Sequence, residues 1–163
     1  MELKIYQQEA LNTLTLFCKN YKESSGKVEE AFNNTLKNSE QFSEPYEPYL
    51  KVKESTAPYI CIRIPTGGGK TLIAAKSLKP VIEELYENDK TFLVIWLAPK
   101  DIIVNQTIKA LKDPKHPYRK AIDEDFPSTS INVMKLKDAL TNTFNKKTDI
   151  TILVGSMQSF NVE

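Results

Sequence analysis

The sequence predicts an α/β fold: a parallel sheet with helices on both faces. Three observations carry it. A glycine-rich turn, Pro65-Thr66-Gly67-Gly68-Gly69-Lys70-Thr71, falls between a short β-rich run and an apolar helical pattern. Thr91–Leu97 is a continuous apolar run, the kind found in strands buried on both faces of a parallel sheet. From residue 59 onward, strand-like and helix-like stretches alternate to the end of the chain, which is the pattern of α/β layers.

In chain order, residues 4–21 carry Ala10, Leu11, Leu14, Phe17, Cys18 and Tyr21 at the three-four spacing of an amphipathic helix. Residues 22–56 are polar, yet Val28, Ala31, Phe32, Thr35 and Leu36 share one helical face, so a helix is expected over about 27–38, with a loop at 44–48. Residues 1–56 thus form an N-terminal helical extension with a polar insertion, and 57–163 the α/β part. Tyr59–Ile64 is expected as a strand and Lys70–Tyr86 as a helix broken or kinked at Pro80. After the Thr91–Leu97 strand come a helix at Asp101–Leu111, a mostly looped stretch at Asp113–Pro127 with a short helix near Arg119–Asp123, and a strand at Ile131–Met134. A helix at Leu136–Phe144 and a last apolar strand at Ile150–Val154 complete the series.

Composition bounds the class. The chain has 163 residues, 40% hydrophobic and 26% charged, with a net charge of +1, values ordinary for a globular domain with a core. No apolar run approaches the roughly 18 residues that cross a bilayer, and the N-terminus lacks the pattern of a secretory signal, so a cytoplasmic protein is expected. Cys18 and Cys61 lack metal-ligand spacing and are expected as buried thiols in a reducing compartment. There is no overall basic excess of the kind a DNA-binding surface often shows. His116, the one histidine, is expected at the surface without a catalytic role.

The glycine-rich turn carries the chemistry. Nucleotide phosphates need several backbone N–H donors converging on one point, and only glycines wrap that closely and take positive φ. The following helix turns its positive end toward the anion. Pro65, Thr66, Gly67, Gly68, Gly69, Lys70 and Thr71 are therefore the expected ATP-binding set. Lys70 reaches the outer phosphates, and the Thr71 hydroxyl ligates the Mg2+ that accompanies them. Ile64 stands where the general phosphate-loop pattern has a glycine.

The form Pro-Thr-Gly-x-Gly-Lys-Thr resembles motif I of superfamily-two helicases and translocases, which implies a RecA-like domain. Leu3–Leu11, with Tyr6-Gln7, resembles that superfamily's adenine-reading segment, which implies that Gln7 meets the adenine edge through an amide that both donates and accepts. Leu97-Ala98-Pro99-Lys100 with Gln106-Thr107 resembles motif Ia, and Val154–Phe160 resembles the later Ser/Gln motif. Both imply contacts to the nucleic-acid backbone, through Pro99, Lys100, Gln106, Ser156 and Gln158. Within the superfamily, these segments, together with Ala57–Ile64, Trp96–Pro99 and His116–Arg119, resemble the restriction (R) subunit of type III restriction enzymes. That implies an ATP-driven translocase on double-stranded DNA, working beside a DNA-modification (methyltransferase) subunit.

Hydrolysis in such a motor needs an acidic pair after an apolar strand. Asp123-Glu124 is the only Asp-Glu in the chain, and no buried strand precedes it, so it is expected as a solvated surface patch. The domain is accordingly expected to be truncated on its C-terminal side, to bind nucleotide without turning it over, and to expose Ile150–Val154 as a bare apolar edge that promotes self-association. The competing readings are a stand-alone nucleotide-binding regulatory module and another superfamily-two helicase. A phosphotransferase is disfavoured, since no lid-like arginine cluster is present.

Overall fold

The computed structural model describes residues 2–39, 49, 57–86, 91–139 and 149–160, in two compact units, Met1–Glu87 and Asn88–Glu163. The boundary expected after residue 56 lies outside the described residues, as does the loop at 44–48.

The regular structure described in the first unit is helical. Helix α1 spans Ile5–Glu23 and α2 spans Val28–Lys37. Between them the chain reverses through a Schellman turn: Gly26 N–H donates to Tyr21 O and Ser25 N–H to Lys22 O, with Ser25 left-handed at φ 54. Leu14, Phe17, Cys18 and Ala31 form the cluster between the two helices, joined by Val81 and Leu85 from α4 (Leu78–Leu85). A buried hydrogen bond, Asn20 Nδ2 to Thr35 Oγ1 at 3.0 Å, fixes the register of α1 on α2. The helix expected over 70–86 is two helices, α3 (Lys70–Lys76) and α4, parting at Ser77. Pro80 explains the position, because its ring clashes with the carbonyl four residues back, that of Lys76.

Two expectations fail in this unit. Tyr59–Ile64 is not a strand, and Tyr59, Ile60 and Ile62 are exposed. β-rich composition favours an extended backbone, but a strand exists only as a member of a pair, and the described residues of this unit offer none. Cys61, in the same segment, is exposed rather than buried, whereas Cys18 is buried as expected.

The second unit is a three-stranded parallel sheet. Strands β1 (Phe92–Ala98), β2 (Ile131–Lys135) and β3 (Ile150–Ser156) lie in the order β1-β3-β2. Helix α5 (Asp101–Lys112) packs on all three strands, and α6 (Pro117–Asp125) packs on α5. The single turn α7 (Leu136–Ala139) covers Leu153 on the other face. Gly155 allows that approach, since a Cβ there would lie 2.8 Å from Leu136 Cδ2. This is the α/β arrangement expected, and it matches part of a RecA-like domain.

Strand order corrects two readings. Ile150–Val154 is not a bare edge: β3 is the central strand, buried at every position. Among the described strands β1 and β2 are the edges, and Thr91–Leu97 is not buried on both faces, since Leu93, Ile95 and Leu97 are exposed at 57%, 50% and 41%. Their register partners on β3 are Thr151, Leu153 and Gly155, so they share the face on which α7 covers only the far strands. Helix α6 is longer than the expected Arg119–Asp123 because His116 caps it, its Nδ1 accepting from Tyr118 N–H at 3.2 Å, with Pro117 leading the first turn. Of the helix expected over 136–144, the described part is Leu136–Ala139. Among the described residues, no helix is long and apolar enough to cross a membrane.

Candidate functional site

The three glycines of the loop are required for different reasons. Gly67, at φ 77, needs the left-handed region, while a Cβ there would meet nothing within 4 Å. Gly68 needs the space: a Cβ would sit 2.6 Å from Ile64 Cγ2 and 2.9 Å from the Pro65 carbonyl. Gly69 needs both, with φ 82 and Gln7 Nε2 2.6 Å from the Cβ position. The turn closes through Gly68 N–H to Pro65 O at 2.9 Å, and α3 begins with Ile73 N–H to Gly69 O at 3.0 Å. The amides of Lys70, Thr71 and Leu72 are then first-turn amides without an intrahelical acceptor. Lys70 is exposed and Thr71 half-buried. Lys70 lines a shallow depression of about 550 Å³ with Ile62, Arg63, Ile64 and Pro65.

Helix α1 supplies the wall behind the loop. Tyr6 Oη donates to the Gly68 carbonyl at 3.0 Å, and Gln7 Nε2 donates to the same oxygen at 2.8 Å. Gln7 Oε1 in turn accepts from Lys4 N–H at 3.0 Å. Gln7 is 5% exposed, so the residue expected to read adenine is first of all packed against the glycine-rich loop. Its amide retains one N–H and one lone pair beyond these two bonds. The structure therefore brings Tyr6, Gln7 and Pro65–Thr71 together in one unit. Arg63, which the sequence analysis did not single out, adds a second cation to the depression; only its proximity to the loop could have signalled it. A cradle of left-handed glycines, two cations and a first-turn hydroxyl suits a magnesium-bound polyphosphate.

The residues expected to meet nucleic acid lie in the other unit. Ala98 pairs in register with Ser156, so the turn at Pro99-Lys100 and the 3-10 turn Met157–Phe160 leave the same end of the sheet. Pro99, Lys100 and Gln158 are exposed there, at the carboxyl ends of parallel strands, where open α/β sheets bind ligands. Lys100 is the N-cap of α5, in an extended conformation. Gln106 is exposed six residues further along α5, about 9 Å of helix rise away. Ser156 is 2% exposed, so its side chain belongs to the interior of the sheet's end.

The acidic stretch around Asp123 sits on α6 and not at the end of a strand. Asp123 pairs with Arg119 Nε at 2.8 Å, and Arg119 Nη1 donates to the Leu111 carbonyl at 3.2 Å, fastening α6 to α5.

A glycine-rich loop leading into a helix in one unit and a parallel α/β sheet in the other are the parts expected of an ATP-binding domain of the superfamily-two helicase type. A family model described as "Type III restriction enzyme, res subunit" matches residues 1–163. The chain belongs to that family. Comparison with curated proteins and with solved structures gave no match.

Proposed function

We propose that this chain is the nucleotide-binding part of an ATP-driven translocase on double-stranded DNA, and that by itself it binds Mg·ATP without hydrolysing it. The observation that carries the proposal is the loop: Gly67 and Gly69 at positive φ, Gly68 held against α1, and Lys70 and Thr71 in the first turn of α3. In this reading the loop amides and the Lys70 ammonium hold the phosphates, and Arg63 adds positive charge beside them. The Thr71 hydroxyl holds magnesium, which when bound neutralises phosphate charge. Gln7 uses its remaining donor and acceptor on the adenine edge, next to Tyr6. Pro99, Lys100, Gln106 and Gln158 mark half of a groove for the DNA backbone, with Ser156 buried beneath its rim and the α/β domain running from residue 57. In this reading a DNA-modification subunit is the partner that supplies sequence recognition.

Turnover needs a carboxylate placed to orient water and an arginine to neutralise the transition state, the latter worth about 10³–10⁵ in rate. The only Asp-Glu, at 123–124, is on α6, with Asp123 engaged by Arg119. The test is calorimetric titration with Mg·ATP. A charge-assisted phosphate contact is worth about 1.5–3 kcal/mol, so Lys70→Ala should weaken binding by roughly ten- to a hundredfold and leave the fold intact. Equal affinities for parent and variant would remove the phosphate-loop reading.

A further inference from the structure

The Gly68 carbonyl has an unusual environment for a loop whose surface faces a ligand. It accepts from Tyr6 Oη at 3.0 Å and from Gln7 Nε2 at 2.8 Å, donors 62 and 61 residues away in sequence. A carbonyl oxygen has two lone pairs, so it is saturated. The peptide that carries it joins two glycines, and such a peptide can flip at little steric cost because neither side has a Cβ. A trans peptide points its C=O and its N–H in opposite directions. Holding the Gly68 oxygen toward α1 therefore turns the Gly69 N–H away from α1. A flip would turn that N–H toward α1 and present a carbonyl in its place, which an anion would meet as repulsion.

We propose that the Tyr6 hydroxyl is a positioning residue for phosphate binding: with Gln7 it locks the Gly68–Gly69 peptide in the orientation that presents the Gly69 amide to an anion. The proposal rests on the nucleotide-binding reading above and assigns Tyr6 to the loop, not to the base. Gln7 is braced for this task by Lys4 N–H, whereas Tyr6 acts through its hydroxyl alone. Gln7 is also one of the two reasons for the third glycine, since its Nε2 occupies the place a Gly69 Cβ would need.

Tyr6→Phe removes the hydroxyl and keeps the ring, so the packing of α1 is retained. Two readouts are taken on the full chain. In the absence of ligand, hydrogen exchange of residues 66–72 should be faster in the variant, with an unchanged melting temperature. In titrations, ATP, GTP and inorganic tripolyphosphate should all weaken by about three- to tenfold, the worth of one neutral hydrogen bond, with the ATP-to-GTP ratio unchanged. Weakening of ATP alone would overturn the proposal and place Tyr6 on the base, and unchanged exchange with unchanged affinities would overturn it as well. If the parent binds none of the three ligands, the nucleotide reading fails and with it the role in phosphate binding. Faster exchange in the variant would then report a lock of purely structural effect.

Discussion

Single residues divide into those whose role follows from their type and those whose role follows from their neighbours. Lys70, Thr71 and the glycines belong to the first kind, because left-handed φ and close backbone approach leave few alternatives to glycine. Gln7 belongs to the second: an amide near the head of a helix could face solvent, a base or a loop, and its bond to Gly68 O joins segments 61 residues apart. Gln7→Ala should accordingly do two things, lowering affinity for ATP and GTP together by loosening the loop and narrowing the preference between them. A variant with parental affinity and parental discrimination would remove Gln7 from the site. The cysteines show the same division, since Cys61 stands in an apolar run whose exposure depends on a missing strand partner. A thiol reagent at neutral pH should label Cys61 and spare Cys18, and the opposite labelling would contradict the burial described. Burial, and then the charge of Glu84, push the Cys18 thiol up from its ordinary 9.0 to about 11. The folded chain thus holds that proton more tightly than the unfolded chain. Its contribution to stability is complete below pH 9 and is lost as pH rises toward 11. The difference in melting temperature between the parent and Cys18→Ala should shrink over that window, and a constant difference would show that the thiol does not titrate as described.

Elements were legible in the sequence where periodicity sufficed and not where pairing decided. The helices α1, α2 and α5 follow from one-face apolar spacing, and the break near Pro80 from the proline's clash with the preceding turn. Strand order does not follow from strand composition. TFLVIWL and ITILV are both apolar, yet the first is an edge and the second the centre. Ile152, fully buried on the central strand, should therefore matter far more than Ile95, half exposed on the edge. Ile152→Ala is expected to cost about 2–5 kcal/mol, and Ile95→Ala well under half of that, as read by denaturant melts. Comparable losses at both positions would contradict the order β1-β3-β2. The turn after α1 offers a test of opposite sign. Ser25 is left-handed at φ 54, where a glycine avoids the strain of a side chain. Ser25→Gly should raise stability, because the roughly 1–2 kcal/mol cost of a side chain in the left-handed region exceeds the roughly 0.4–1 kcal/mol that a glycine adds to the entropy of the unfolded chain, and a loss would mean that the turn is held by more than its backbone.

Across the whole molecule two observations stand out: family membership across residues 1–163 and a glycine-rich loop with Gly67 and Gly69 at positive φ. Both were legible in the sequence, because such a loop is local in sequence. The set proposed to face DNA is less local. Pro99, Lys100 and Gln158 meet at one end of the sheet only because β1 and β3 pair in parallel with Ala98 opposite Ser156. With a net charge of +1 and a few exposed polar groups at that rim, the chain should bind duplex DNA weakly, without sequence preference, and with an affinity that falls as salt is raised. Lys100→Ala should flatten that salt dependence, and an unchanged slope would move the contact elsewhere. Binding without turnover is tested by measuring phosphate release from saturating Mg·ATP by the 163-residue chain, with and without double-stranded DNA. No release above background is expected in either case. Brisk, DNA-stimulated release that Lys70→Ala abolishes would contradict it and would mean that a catalytic carboxylate already stands among these residues.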